Sequence, residues 1–162
     1  MVLFTQALAF ARTNRKEVKR FAKFATVGAA GALTHVSLVN ILVQIVGWSE
    51  RMANPVGFSA AVIQNFFLNR RWTYPESRQR HAGRQLLQFA IVSIIGLMIN
   101  QVVFLTVLHL FEPFWTQVAG PGRLAHALSY NFALAAAIGV VLFWNFTANR
   151  LWTYRGLSAQ HK

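Results

Sequence analysis

Asn65-Phe66-Phe67-Leu68-Asn69-Arg70-Arg71-Trp72-Thr73-Tyr74 returns 80 positions later as Asn145-Phe146-Thr147-Ala148-Asn149-Arg150-Leu151-Trp152-Thr153-Tyr154, with seven of the ten residues unchanged. Each copy closes a long apolar run and carries the first formal charge after it, Arg70 in one and Arg150 in the other. Tryptophan and tyrosine favour the interface of a bilayer, and arginine placed there escapes the cost of the hydrocarbon centre. Both copies therefore read as the ends of membrane-spanning helices, and they divide the chain into two related halves.

Composition points the same way. The 162 residues are 55% hydrophobic and only 12% charged, with a mean hydropathy of +0.39, too few charges to clothe a soluble globule. The net charge of +12 sits beside apolar segments rather than on a recognition helix, so anionic lipid is the expected counter-charge and nucleic acid is not. Cysteine is absent, which removes disulfides, thiolate catalysis and cysteine-based metal sites. His35, His81, His109, His126 and His161 are scattered singly, and no paired carboxylates, Ser-His-Asp set or phosphate-cradling glycine loop is present. Neither enzymatic chemistry nor a metal or other cofactor is expected. The four acidic residues, Glu17, Glu50, Glu76 and Glu112, all lie outside the expected spans, so tight ion coupling is not expected either.

Taken in order, the chain divides into a basic amphipathic segment (1–23), a first helical hairpin (24–74), a basic loop (75–85), a second hairpin (86–154) and a tail (155–162). The first segment places its apolar residues before its basic cluster, unlike a signal peptide, and reads either as a helix in the headgroup layer or as a tail with a topological role. Residues 24–47 carry no charge, and at about 1.5 Å each they cross a hydrocarbon core of about 30 Å. On this helix Gly28, Gly31 and His35 form a small packing face. Thr26, Thr34, Ser37, Asn40 and Gln44 form a polar stripe opposite. That stripe is either interhelical hydrogen bonding or one wall of a polar path, with Asn40 and Gln44 as candidate path residues. Asn54-Pro55 suits the start of the second helix, which reaches about Tyr74. The third helix is expected over 86–111, ending before Glu112-Pro113, and the fourth over about 123–154. Shifted by 65, the first helix maps onto the third: Phe24, Val27 and Gly31 fall on Phe89, Val92 and Gly96. The expected fold is an all-α integral membrane protein of four transmembrane helices, in two tandem hairpins.

Lysine and arginine set the orientation. Fourteen of the sixteen lie before the first helix, between Arg70 and Arg84, or from Arg150 onward, and only Arg51 and Arg123 lie on the other side. Both termini and both motif copies are therefore expected in the cytoplasm, and the repeats are parallel.

Interfacial anchoring explains each residue type of the motif but not its fixed order, Asn-x-x-x-Asn-Arg-x-Trp-Thr-Tyr, since any aromatic and any basic residue would anchor. A ligand fits better: guanidinium binds phosphate bidentately, asparagine amides donate to phosphate or sugar oxygens, and an indole packs on a sugar ring. The candidate ligand-binding residues are Asn65, Asn69, Arg70 and Trp72, with Asn145, Asn149, Arg150 and Trp152. In a straight helix Asn65, Asn69 and Trp72 share one face and Arg70 turns away, so either the helix ends near Asn69 or a neighbouring helix completes the site.

Phe24-x-x-Val27-Gly28-x-x-Gly31, Phe67-Leu68-Asn69-Arg70-x-Trp72-Thr73-Tyr74 and the echo Asn149-Arg150-x-Trp152-Thr153-Tyr154 resemble the GtrA-like family of small four-helix membrane proteins, over roughly residues 20–154. The resemblance implies a multi-pass protein of the inner (plasma) membrane that translocates a polyprenyl-phosphate-linked sugar for cell-surface polysaccharide synthesis. It also admits an accessory subunit that anchors a polyprenyl-phosphate glycosyltransferase. The second copy departs from the first at Thr147-Ala148, and Ser93 stands where Gly28 does. Four helices enclose little volume, so a homo-oligomer is expected to build any path wide enough for a sugar.

Overall fold

The computed structural model describes residues 15–155, which are helical throughout apart from short connections. Helix α1 spans Arg15–Asn40 and runs on into a wider π-helical turn, Ile41–Ile45. Helix α2 spans Glu50–Leu68 and ends in a second π turn, Asn69–Thr73, followed by a short 3-10 segment, Pro75–Gln79. Helix α3 spans Ala82–Ala119, and α4 spans Arg123–Ala148 with a terminal π turn, Asn149–Thr153. These elements form two compact units, one reaching to Leu86 and one covering Leu87–Arg155.

Three segments, Arg15–Ile45, Ala82–Ala119 and Arg123–Thr153, are long and apolar enough to cross a membrane. Their large side chains point outward: Leu33, Ile45, Met98 and Phe143 are each more than 60% exposed, at 71%, 79%, 66% and 66%. Such an apolar exterior is stable only when lipid covers it. Helix α2 falls short on composition, because Arg51, Asn54, Ser59, Gln64 and Asn65 interrupt its 19 residues.

In the first unit, α1 buries Arg20, Phe24, Val27 and Gly31, spaced four, three and four residues apart along one stripe. Helix α2 lies against α1 with Ala53, Gly57 and Ala61, one small residue per turn. The contact is tightest at two glycines. A Cβ on Gly31 would collide with the amide of Asn65, and one on Gly57 would lie 2.6 Å from Val39 Cγ2 and 2.7 Å from His35 Cδ2. The Thr34 hydroxyl donates to Gln64 Oε1 at 2.7 Å, and His35 Nε2 lies 2.8 Å from Asn54 Oδ1. Pairing Val39 with Gly57, Gly31 with Asn65 and Lys23 with Trp72 makes the two helices antiparallel along the length of α2.

The expected boundaries need correction here. Residues 15–23 are not a separate segment: they are the first turns of α1, and only residues 1–14 of the expected basic segment and 156–162 of the tail lie outside the described residues. Helix α2 starts at Glu50 after an extended Ser49, so Asn54 is no N-cap; its amide is taken by His35, and Pro55 sits inside the helix. Gly28 has nothing within 4 Å of where a Cβ would stand, so among the glycines of α1 only Gly31 makes a close approach. On the polar stripe, Thr26 and Asn40 donate back to Ala22 and Val36 carbonyls, and Gln44 donates to Asn40 Oδ1 at 2.9 Å; Thr34 alone is seen bonding across to α2.

In the second unit the register of the repeat holds. Phe89, Val92 and Gly96 are buried on α3, and a Cβ on Gly96 would lie 2.8 Å from Asn145 Oδ1. The Trp144 indole donates to the Val92 carbonyl at 3.2 Å, a group that Gly96, one turn on, has no side chain to shield. Helix α4 buries Ala125, Ser129, Ala133 and Ala137, again one small residue per turn. Helix α3 does not stop at Phe111 as its Glu-Pro signal suggests. It runs through Pro113 to Ala119, because Phe111 and Trp115 both pack on Phe132 of α4, with ring centroids 4.9 and 6.0 Å apart. That packing outweighs the one backbone hydrogen bond that proline removes. It also leaves a short turn in which Gly120 and Gly122 take positive φ.

The close approaches predict an ordering of stabilities. Gly31→Val and Gly96→Val should each destabilise the protein by about 1–3 kcal/mol through overpacking. Gly28→Val, which meets open space, should leave the midpoint of thermal unfolding in detergent near that of the parent. Equal shifts for all three would show that neither Gly–Asn contact holds its hairpin.

Candidate functional site

Both copies of the repeated phrase fold into the same device. Regular α-helix ends at Leu68 and Ala148, and the next residue, Asn69 or Asn149, shares its backbone N–H between the carbonyls four and three residues earlier. The chain then widens by one residue: the Tyr74 amide donates to the Asn69 carbonyl at 2.7 Å, and the Tyr154 amide to the Asn149 carbonyl at 2.8 Å. The asparagine side chain closes the turn from inside, its Oδ1 accepting the hydroxyl of Thr73 at 2.8 Å or of Thr153 at 2.7 Å. Asn69, Asn149, Thr73, Thr153, Tyr74 and Tyr154 are all buried. One turn earlier, Asn65 and Asn145 seat their amides on Gly31 and Gly96, each with a buried Oδ1 that no donor meets. Asparagine, threonine and tyrosine in the motif thus build the turn, and what the turn presents outward is arginine and tryptophan.

The α-to-π change also answers how the motif is divided. Asn69 and Trp72 do not share a face as a straight helix would have them: Asn69 is 1% exposed and Trp72 46%. Lys23 of α1 covers the indole, its Nζ 5.4 Å from the ring centroid and donating to the Trp72 carbonyl at 3.2 Å. Arg70 points into the connection that follows. Its Nη1 donates to Gln85 Oε1 at 2.6 Å, and its Nη2 donates to the Arg78 and Arg80 carbonyls, both at 2.9 Å. Arg78 returns the link, donating from Nη2 to the Arg71 carbonyl at 3.0 Å.

These bonds shape a cleft of about 390 Å³ lined by Phe67, Arg70, Arg71 and Arg78. No carboxylate pairs with any of the three arginines among the described residues. The acid nearest in sequence, Glu76, is held by Arg20, a buried residue of α1 that also bonds Glu17 at 3.1 Å and lies over the Tyr74 ring. Backbone carbonyls hold Arg70 and Arg78 at the cleft, Arg71 lines it as well, and three like charges gathered there repel one another, a repulsion that an anion relieves.

The second copy is different. Leu151 stands where Arg71 does, and the hollow beside Trp152 is apolar, about 540 Å³, walled by Val92, Ile99, Phe143, Trp144, Leu151 and Trp152 among others. Arg150 is half-buried and Trp152 is 45% exposed. Asn40 and Gln44 lie at the other end of α1, some 17 residues or about 25 Å of helix beyond Lys23, and are bonded to each other rather than to anything at the motif. Sequence reasoning placed none of Phe67, Lys23, Arg71 and Arg78 among the ligand-binding residues, and it took Arg78 with Arg80 and Arg84 as a basic surface for a partner enzyme. The one available signal was that position 71 is charged in the first copy and apolar in the second.

A family model described as "GtrA/DPMS, transmembrane domain" matches residues 23–154. Among curated proteins, a dolichol-phosphate mannosyltransferase of Pyrococcus furiosus is 29% identical over 94 residues, 58% of this chain but 26% of that protein, so the chain corresponds to about a quarter of its length. "Uncharacterized membrane protein YngA" of Bacillus subtilis is 27% identical over 142 residues, 88% of this chain and 84% of its own length. A bactoprenol-linked glucose translocase of Shigella phage SfV is 28% identical over 83 residues, 51% and 68% of the two chains. With the family model covering most of its length and its helices apolar outward, this chain is a multi-pass membrane protein and belongs to the GtrA/DPMS transmembrane domain family.

Proposed function

We propose that this protein translocates a polyprenyl-phosphate-linked sugar across the inner membrane. The observation that carries the reading is the cleft of three guanidinium groups, unpaired with any carboxylate among the described residues, at the end of a hairpin with exposed apolar side chains, which suits a phosphate attached to an apolar chain. Likeness to the phage bactoprenol-linked glucose translocase supports the same chemistry. In this reading all four helices cross the bilayer, since α2 lies antiparallel along α1, and both motif turns face the cytoplasm with the termini. Arg70 and Arg150 meet the phosphate, and Trp72 and Trp152 cover the sugar. Asn65, Asn69, Asn145 and Asn149 act from within by holding each turn in shape. Among the described residues the carboxylates of the helices stand toward their ends, Glu17 in the first turn of α1, Glu50 at the start of α2 and Glu112 in the last turns of α3, rather than outside the spans as expected. With none at mid-helix, transport is downhill, drawn by consumption of the lipid on the far side. A homo-oligomer supplies the width of the path, and anionic lipids surround the basic end.

A second reading has its own support. The dolichol-phosphate mannosyltransferase matches this chain over only 26% of its length, so in that protein a domain of this kind accompanies a larger remainder. By analogy, this chain would anchor a separate polyprenyl-phosphate glycosyltransferase through its basic surface at Arg78, Arg80 and Arg84, with no transport of its own.

Reconstituted vesicles carrying a labelled polyprenyl-phosphate-linked sugar separate the two. Translocation predicts flipping by the protein alone, slowed at least about tenfold by Arg70→Gln together with Arg150→Gln in correctly inserted protein. Unchanged flipping in that variant would refute these roles, and no flipping without an added glycosyltransferase would favour the anchor. Orientation is tested independently, because the chain has no native cysteine. A membrane-impermeant maleimide applied to intact cells should label Gln117→Cys and should label Gln79→Cys only after the cells are opened; the reverse pattern would overturn the assignment.

A further inference from the structure

The cleft at the first motif is selective in its chemistry. Its lining among the described residues is three guanidinium groups and one phenyl ring, with no neutral hydrogen-bonding side chain of the kind that reads sugar hydroxyls. Asn69, the nearest amide of the motif, is buried and engaged with Thr73. Trp72, with Lys23 against its ring, does not line the cleft. What remains is a strongly cationic pocket beside an apolar wall.

Charge then discriminates between two forms of one lipid. A sugar-bearing lipid phosphate is a phosphodiester with a single negative charge, whereas a phosphomonoester carries about −1.5 to −2 at neutral pH and offers three terminal oxygens. Arg70 and Arg78, held in place by backbone carbonyls, together with Arg71, which lines the same cleft, match the second far better than the first. The second copy of the motif, with Leu151 and an apolar hollow in place of Arg71 and the cleft, offers no such match.

We propose that Arg70, Arg71 and Arg78, with Phe67 as the apolar wall, form a site for a phosphomonoester, the deglycosylated lipid carrier, in preference to the sugar-bearing phosphodiester. The proposal rests on the lipid-phosphate reading above and adds to it a product site confined to the first repeat. The reaction that supplies this ligand is a glycosyl transfer. Its acceptor hydroxyl attacks the sugar, the carbon–oxygen bond to phosphate breaks, the hydroxyl proton passes to solvent, and the lipid keeps the phosphate as a monoester. In the reading above that transfer takes place on the far side, so the spent carrier reaches this end after crossing back, and here its extra charge favours it over fresh substrate.

The test measures binding to the full chain in phosphatidylcholine nanodiscs, using farnesyl phosphate, farnesyl methyl phosphate and inorganic phosphate as probes. At pH 8 the monoester should bind about tenfold more tightly than the methyl diester. At pH 5 the monoester has taken up a proton with a pKa of about 6, so the preference should vanish. Arg71→Gln and Arg78→Gln should each weaken farnesyl phosphate about tenfold, whereas Arg84→Gln, which removes the same charge outside the cleft, should not. Inorganic phosphate binding far more weakly than farnesyl phosphate identifies a lipid as the source; equal binding identifies the free anion and keeps the phosphate site. Equal affinity for diester and monoester at pH 8, a preference that persists at pH 5, or an equal loss in Arg84→Gln would overturn the proposal. Diester binding without preference refutes this inference alone, while failure of both lipids to bind would also remove the phosphate reading that the vesicle assay examines separately.

Discussion

The hydrogen bond from the Tyr74 amide to the Asn69 carbonyl, repeated from Tyr154 to Asn149, is the constraint on which both halves depend. A helix leaving a bilayer must end without stranding backbone groups in an apolar layer. Widening the last turn by one residue moves the final amides onto earlier carbonyls, and the asparagine side chain captures a threonine hydroxyl in the same step. The tyrosine is drawn in, and the arginine and tryptophan between are pushed out. A structural solution to a helix end thereby positions the only outward chemistry that the motif has.

The same economy governs helix packing. With lipid outside as apolar as the core, burial of leucine gives little reason for two helices to associate, and close approach of backbones must do it. Gly31 under Asn65, Gly57 under His35 and Gly96 under Asn145 are those approaches, with rows of small residues on α2 and α4 around them. Polar side chains within the hairpins are mostly bonded to their own helix or to the facing one, as Thr34 is to Gln64 and Trp144 to the Val92 carbonyl.

The two halves share a scaffold and differ in their surfaces. Asn-Arg-x-Trp-Thr-Tyr survives in both copies because most of it builds the turn, and the position that faces outward without building anything, Arg71 against Leu151, is where the copies diverge. Two of the motif's repeated asparagines, Asn69 and Asn149, are buried, and two of the three arginines that meet at the cleft, Arg71 and Arg78, are not repeated. Arg78 in particular reaches the cleft through a 3-10 segment whose path depends on Arg20 holding Glu76, a contact between residues 56 positions apart.

By itself the sequence determined the class and the all-helical architecture, because the composition, the uncharged runs and the 65- and 80-residue offsets are properties of the chain read along its length. It also carried the packing register, since Phe24, Val27 and Gly31 reappear as Phe89, Val92 and Gly96 on the buried stripes. Tertiary structure decided what local signals could not. Pro113 lies inside α3 because aromatic contacts with α4 outweigh one lost hydrogen bond, and Asn54 serves His35 rather than a helix start. The motif's faces follow from a π turn that no 3.6-residue period anticipates. Each of these is a competition between a local preference and a contact with a distant residue, and only the folded chain sets the distance at which the second wins.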